Sequence, residues 1–181
     1  MRSPLTTVRI ARGVAAALVA LCATAPAAVA DHGGTALSGR PDNAKHYVDR
    51  NDLTSAANAA AVHGVAQLDR SDMDATFTGS GDVEVYDGYY GDIGWYGATN
   101  CQTPSTRAGV CDVYRVRFNL TTMDGLSLSK WRSLGCHEFG HTAGLGHRYY
   151  YDDSNDNSCM RIEIWPEDYD THDLNAINAT V

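Results

Sequence analysis

The stretch from His137 to His147 restricts this chain more than any other. It reads His137-Glu138-Phe139-Gly140-His141-Thr142-Ala143-Gly144-Leu145-Gly146-His147. Two histidines four positions apart lie on one face of a helix, one turn above the other. Both imidazoles then reach a single ion, with zinc–nitrogen bonds of about 2.0–2.1 Å. Glu138 falls about 100° around the helix from His137, beside such an ion and not on it. The third histidine adds a condition on the backbone. In a continuous helix His147 would stand about 9 Å along the axis from His141 and about 15 Å from His137, at ~1.5 Å per residue. The helix therefore has to stop between them. Gly144 is placed to stop it, because glycine takes left-handed dihedrals freely. Gly146 adds further freedom, so the chain can turn back and bring His147 to the same ion.

Three neutral protein ligands leave the fourth position of a tetrahedral zinc open to water. That is a catalytic arrangement, since structural sites are closed by four protein ligands. His137, His141 and His147 are thus candidate metal ligands for one Zn2+ ion. Glu138 is the candidate catalytic base that takes a proton from the water and passes it to a leaving amine. The expected activity is peptide-bond hydrolysis.

The rest of the chain fits an exported carrier of such a site. Arg2, Arg9 and Arg12 precede an apolar run from Val14 to about Cys22, and Ala28-Val29-Ala30 is a small-x-small cleavage site. Residues 1–30 are read as a secretory signal peptide, so the protein is expected outside the cell, with no membrane anchor. The three arginines leave with that segment, taking the formal charge from −8 to −11. An acidic balance argues against nucleic acid and against anionic membrane surfaces. Four cysteines remain, Cys101, Cys111, Cys136 and Cys159, and an even count in an exported chain reads as disulfides. Three pairings are open; Cys101–Cys111 is favoured by proximity.

The coarse pattern is mixed α and β. Residues 31–47 read as a flexible N-terminal arm with at most one short strand around His46–Val48, and 48–181 as one domain. An Ala-rich run from Leu53 to Leu68, capped by Asp52 or Thr54, predicts a long helix. His63 within it reads as a core or groove histidine. Ala75–Thr78, Asp82–Tyr86, Ile93–Thr99 and Val113–Phe118 are rich in Val, Tyr, Phe and Thr and predict strands. Tyr86, Tyr89, Tyr90, Trp95 and Tyr96 read as core and turn filling. Ser127 or Ser129 can cap the metal-bearing helix, with Leu128, Trp131 and Leu134 as its buried stripe. Asp170-Thr171, then Leu174 and Ile177, predict a short C-terminal helix.

The stretch His137–His147 matches every fixed position of the metzincin zinc signature, and the chain resembles that family of metalloproteases, nearest in look to the matrixins and the snapalysin-like proteases. His147 departs from the snapalysins, whose third ligand is Asp. The resemblance implies an α+β zincin fold. It would have a twisted four- to five-stranded mixed sheet, one antiparallel edge strand, a long helix, the zinc-binding helix and a short final helix. It implies a methionine turn beneath the metal, matched by Ser158-Cys159-Met160, with Met160 as floor. If that turn underlies the zinc helix, Cys136 and Cys159 are neighbours and form the second disulfide. It also implies that Ile93–Thr99, including Trp95, Tyr96 and Gly97, is the edge strand that pairs with an extended polypeptide substrate. Arg161 to Pro166 would wall the pocket beyond the cut. Ile162 stands where astacins and serralysins carry a tyrosine, and Tyr149, Tyr150 or Tyr151 are alternatives for that role. No cysteine-switch pro-segment is found.

Weaker signals follow. Asp152, Ser154 and Asp156 with Glu163 follow calcium-loop spacing, but Asn157 stands where glycine is needed. A solvated acidic turn is the better reading. Asn119 and Asn178 head glycosylation sequons. His32, His46 and His172 stand alone. The chain is expected to act as a monomer. The competing reading is a secreted binding or adhesion module with a structural zinc site, for which Glu138 would have no use.

Overall fold

The computed structural model describes residues 38–148, 157–162 and 166–181. The expected signal segment, the calcium-like loop at 152–156, Glu163 and Tyr149 to Tyr151 lie outside the described residues. So does residues 163–165 of the expected pocket wall.

A six-stranded sheet forms the frame. Its strands are β1 (Arg40–Pro41), β2 (Lys45–Asn51), β3 (Asp74–Thr78), β4 (Val83–Gly88), β5 (Gly97–Pro104) and β6 (Val110–Asn119). β3, β2, β4 and β6 run parallel in that spatial order. β1 pairs parallel with the start of β6. β5 pairs with β6 in the antiparallel sense, Gly97 opposite Phe118 and Thr99 opposite Val116. On β6, Tyr114, Val116 and Phe118 are buried and alternate with Arg115 and Arg117, as the two-residue period of a strand dictates. Arg115 pairs with Glu84 of β4 at 2.8 Å on the other face.

Among the described residues the helices are α1 (Ser55–Leu68), α2 (Leu120–Met123), α3 (Leu128–Thr142) and α4 (Thr171–Thr180). Thr54 caps α1, its side chain accepting from the Ala57 N–H. α1 and α3 pack where both carry small residues. A Cβ on Gly135 of α3 would overlap the Ala60 carbonyl of α1, and one on Gly64 would overlap Phe139. Glycine at both positions lets two backbones approach closely while Val65, Leu68, Leu134 and Phe139 fill the core beneath. Asp170 and Asp173 close a reciprocal capping box on α4.

Several expectations need correction. The arm drawn over 31–47 contains sheet: β1 and the start of β2 lie inside it. β2 carries few apolar residues, yet it is ladder-bonded on both sides, and main-chain pairing outweighs its polar composition. The strand placed at Ile93–Thr99 begins at Gly97 and runs to Pro104. Gly91 and Gly94 both have positive φ, 86° and 82°, so the chain turns through this stretch and leaves Ile93 exposed. Trp95 and Tyr96 therefore precede the strand. The sheet has six strands where four or five were expected. Leu128 is 47% exposed and falls outside the buried stripe of Trp131 and Leu134.

Candidate metal centre

The site is built on the last turns of α3. Ser127 caps its start, accepting from the Lys130 N–H. At the other end Gly144 adopts φ 87°. The Leu145 N–H reaches back to the Gly140 carbonyl at 3.0 Å and the Gly144 N–H to the His141 carbonyl at 3.2 Å. This pair of bonds is a Schellman ending with glycine at the left-handed position. It reverses the chain within three residues and returns His147 toward the helix. Side chains also reach the carbonyls of the helix end: Ser38 Oγ donates to the His141 oxygen at 2.9 Å, and His46 Nε2 lies 3.3 Å from that of Thr142.

The three histidines meet as the spacing predicts. His141 Nε2 stands 3.2 Å from His137 Nε2 and 3.1 Å from His147 Nε2. Two of the outer nitrogens have fixed roles. His137 Nδ1 donates to the Cys159 carbonyl at 2.8 Å, and His141 Nδ1 to the Leu145 carbonyl at 2.8 Å. A carbonyl only accepts, so in the neutral rings both protons sit on Nδ1 and both Nε2 atoms present lone pairs. The contact between His137 and His141 is then two lone pairs facing each other and not a hydrogen bond. A cation between them relieves that repulsion, and the ligand atoms of the three histidines all lie within 4.8 Å of one another, close enough to hold one ion. The set fits a divalent metal taking imidazole nitrogen, zinc among them. Burial lowers the pKa of His137 well below its ordinary value, assisted by the neighbouring His141 and His147. Burial brings His141 down to about 4 and also lowers His147. All three rings are thereby kept in the neutral form that a metal ligand requires.

Glu138, next in sequence to His137, reaches β5 with its side chain. Thr99 Oγ1 donates to Glu138 Oε2 at 2.7 Å. Burial pushes its carboxyl up to about 7, opposed by the Thr99 hydrogen bond and by the charge of Arg117. A group that titrates near neutrality suits proton transfer in both directions.

Met160 is fully buried and lies against α3, where a Cβ on Gly140 would overlap its sulfur and stand 3.2 Å from Tyr169 Cε1. The disulfide Cys136–Cys159 ties this turn to α3, with Cα atoms 6.0 Å apart, and Cys101–Cys111 ties β5 to β6 at 5.7 Å. Past His147, the Arg148 N–H donates to the Met160 carbonyl at 2.9 Å, and its guanidinium reaches Asp170 at 2.7 Å. His63 stays apart from the cluster, its Nε2 2.6 Å from the Glu167 carbonyl oxygen.

Sequence reasoning missed Thr99, Arg148 and Tyr169, whose hydroxyl donates to the Cys136 carbonyl at 2.9 Å. None belongs to a motif. Each matters through a partner distant in sequence, and no local pattern marks it.

No family model matches the chain, and no curated protein matches it. Among solved structures, one described as the structure of myroilysin superposes with a TM-score of 0.51 at 13% identity, covering 81% of this chain and 97% of that one. The two share a fold. A second, described as the crystal structure of myroilysin, gives a TM-score of 0.43 at 14% identity, covering 65% of this chain and 54% of that one. At such identities the likeness is one of architecture and carries no activity with it. Two disulfides fit an oxidising compartment. Among the described residues no helix is long and apolar enough to cross a membrane.

Proposed function

We propose that the chain is a secreted zinc-dependent endopeptidase of the metzincin type. The observation that carries this is a buried carboxylate one residue from a cluster of three neutral imidazoles, tied by a neighbouring strand and titrating near neutrality. A purely structural metal site has no use for that carboxylate. The Schellman ending at Gly144 and the buried Met160 against Gly140 support the metzincin assignment.

In this reading His137, His141 and His147 hold the metal through Nε2. Bound there, zinc would supply a Lewis acid that polarises a carbonyl and lowers the pKa of water toward 7. Glu138 takes up a proton at Oε1, the oxygen not bonded to Thr99, holds it, and releases it to the leaving amine nitrogen. β5 pairs only with β6 among the described strands, which leaves its other edge for the main chain of an extended polypeptide. The leader-like start at residues 1–30 and the two disulfides support export.

Casein hydrolysis by the purified 31–181 protein tests this beside Glu138→Ala, with bound metal assayed. The expected result is one zinc per chain, activity in the parent, and loss of activity in the variant and under chelation. Zinc in both proteins with cleavage by neither would favour a binding module, and a protein that takes up no metal would refute the proposal.

A further inference from the structure

We infer that Thr99 is a positioning residue for the Glu138 carboxylate and that Gly97 is the gap into which that carboxylate projects. The inference rests on the reading of Glu138 as the proton carrier. Thr99 Oγ1 stands 2.7 Å from Glu138 Oε2 and 3.0 Å from the Glu138 carbonyl oxygen. Gly97 lies two places earlier on β5, so both residues share one face of the strand. A Cβ at Gly97 would stand 2.5 Å from Glu138 Oε1 and 2.9 Å from Cδ. One oxygen is therefore tied by a hydroxyl, and the other occupies the space a side chain at 97 would fill. The carboxylate is fixed by a single strand, and that strand is fixed by its pairing to β6 and by the disulfide at Cys101.

The hydroxyl suits a group that gains and loses a proton. Thr99 has one hydrogen to give and lone pairs to receive with. It donates to Oε2 while the carboxylate is charged. When Glu138 carries its proton on Oε1, Oε2 remains an acceptor and Thr99 goes on donating to it. Glu138 thus keeps a partner in both states without swinging away. Valine offers the same shape and neither bond, whereas serine offers both.

The test compares Thr99→Val and Thr99→Ser in the zinc-loaded 31–181 protein, measuring kcat and KM on a peptide substrate together with zinc stoichiometry and zinc affinity. Valine is expected to lower kcat roughly ten- to a hundredfold, the worth of a hydrogen bond to a charged group, with KM within about twofold. Zinc stoichiometry and affinity should stay at the parent level, and serine should restore most of kcat. In a Glu138→Asp background, where the shortened carboxylate falls out of reach, valine should cost less than about twofold. Parent-level kcat in Thr99→Val, or an equal fractional loss in both backgrounds, would overturn the inference. So would a fall in zinc affinity matching the fall in rate. Full activity in Glu138→Ala would instead overturn the proton-carrier reading itself. If the valine variant does not fold, Thr99→Ala carries the same expectations.

Discussion

Removing the Cys136–Cys159 bridge should damage stability and metal binding together, while removing Cys101–Cys111 should damage stability and leave metal affinity unchanged. The bridges close sequence separations of 23 and 10 residues. In the chain-entropy treatment these correspond to about 3.4 and about 2.7 kcal/mol at 25 °C. For a domain of this size, 3.4 kcal/mol lowers the melting temperature by roughly 7–14 °C. The first bridge carries a second consequence. Its Cys159 carbonyl accepts the Nδ1 proton of His137 at 2.8 Å, so it holds the acceptor that orients a ligand. Loss of such a partner costs roughly 10- to 100-fold in metal affinity. Urea unfolding of the two double-alanine variants, each paired with a competitive zinc titration, reads both quantities. The reasoning is refuted if Cys136→Ala/Cys159→Ala binds zinc as tightly as the parent, or if both pairs weaken zinc equally.

Two further outcomes follow from other buried groups. Burial raises the Asp173 carboxyl from 3.8 to about 6, so its contribution to stability is fully present below pH 3.8 and lost as pH rises through about 6. Asp173→Asn keeps an acceptor for the Asp170 N–H and should gain on the parent by roughly 3 kcal/mol between pH 4 and pH 7.5, checked by urea midpoints across that range. Gly140→Ala would drive a methyl into the Met160 sulfur, an overpacking expected to cost about 1–3 kcal/mol in a thermal melt, and Met160→Ala in the same background should recover part of it.

Much of the metal centre was legible because its parts are local. His137, Glu138 and His141 follow from helical spacing, and the stop at Gly144 follows from the reach His147 requires. Met160 and the Cys136–Cys159 pairing came through family resemblance, and burial of Met160 and Cys159 against α3 agrees with both. What failed was register. Ile93 looks like a strand residue, but Gly91 and Gly94 turn the chain around it, and the strand begins only where Gly97 meets Phe118. β2 was legible only as a short strand around His46–Val48, and its extent to Asn51 was missed for the opposite reason. His46, Asp49, Arg50 and Asn51 do not alternate apolar with polar, and the strand exists because both its edges are paired. Thr99 is an ordinary strand residue until α3 is folded across it.

The acceptors that orient His137 and His141 are main-chain oxygens, those of Cys159 and Leu145. A side-chain acceptor can be lost through one codon; a peptide carbonyl persists whatever residue bears it. The ring orientation of these two ligands is therefore written into backbone path, not into residue identity. Position 145 can drift among residues that keep the helix ending intact without the His141 ring losing its hold. Descendants of such a chain would diverge widely in sequence while keeping their imidazole geometry, and an engineer may vary position 145 without supplying a new acceptor.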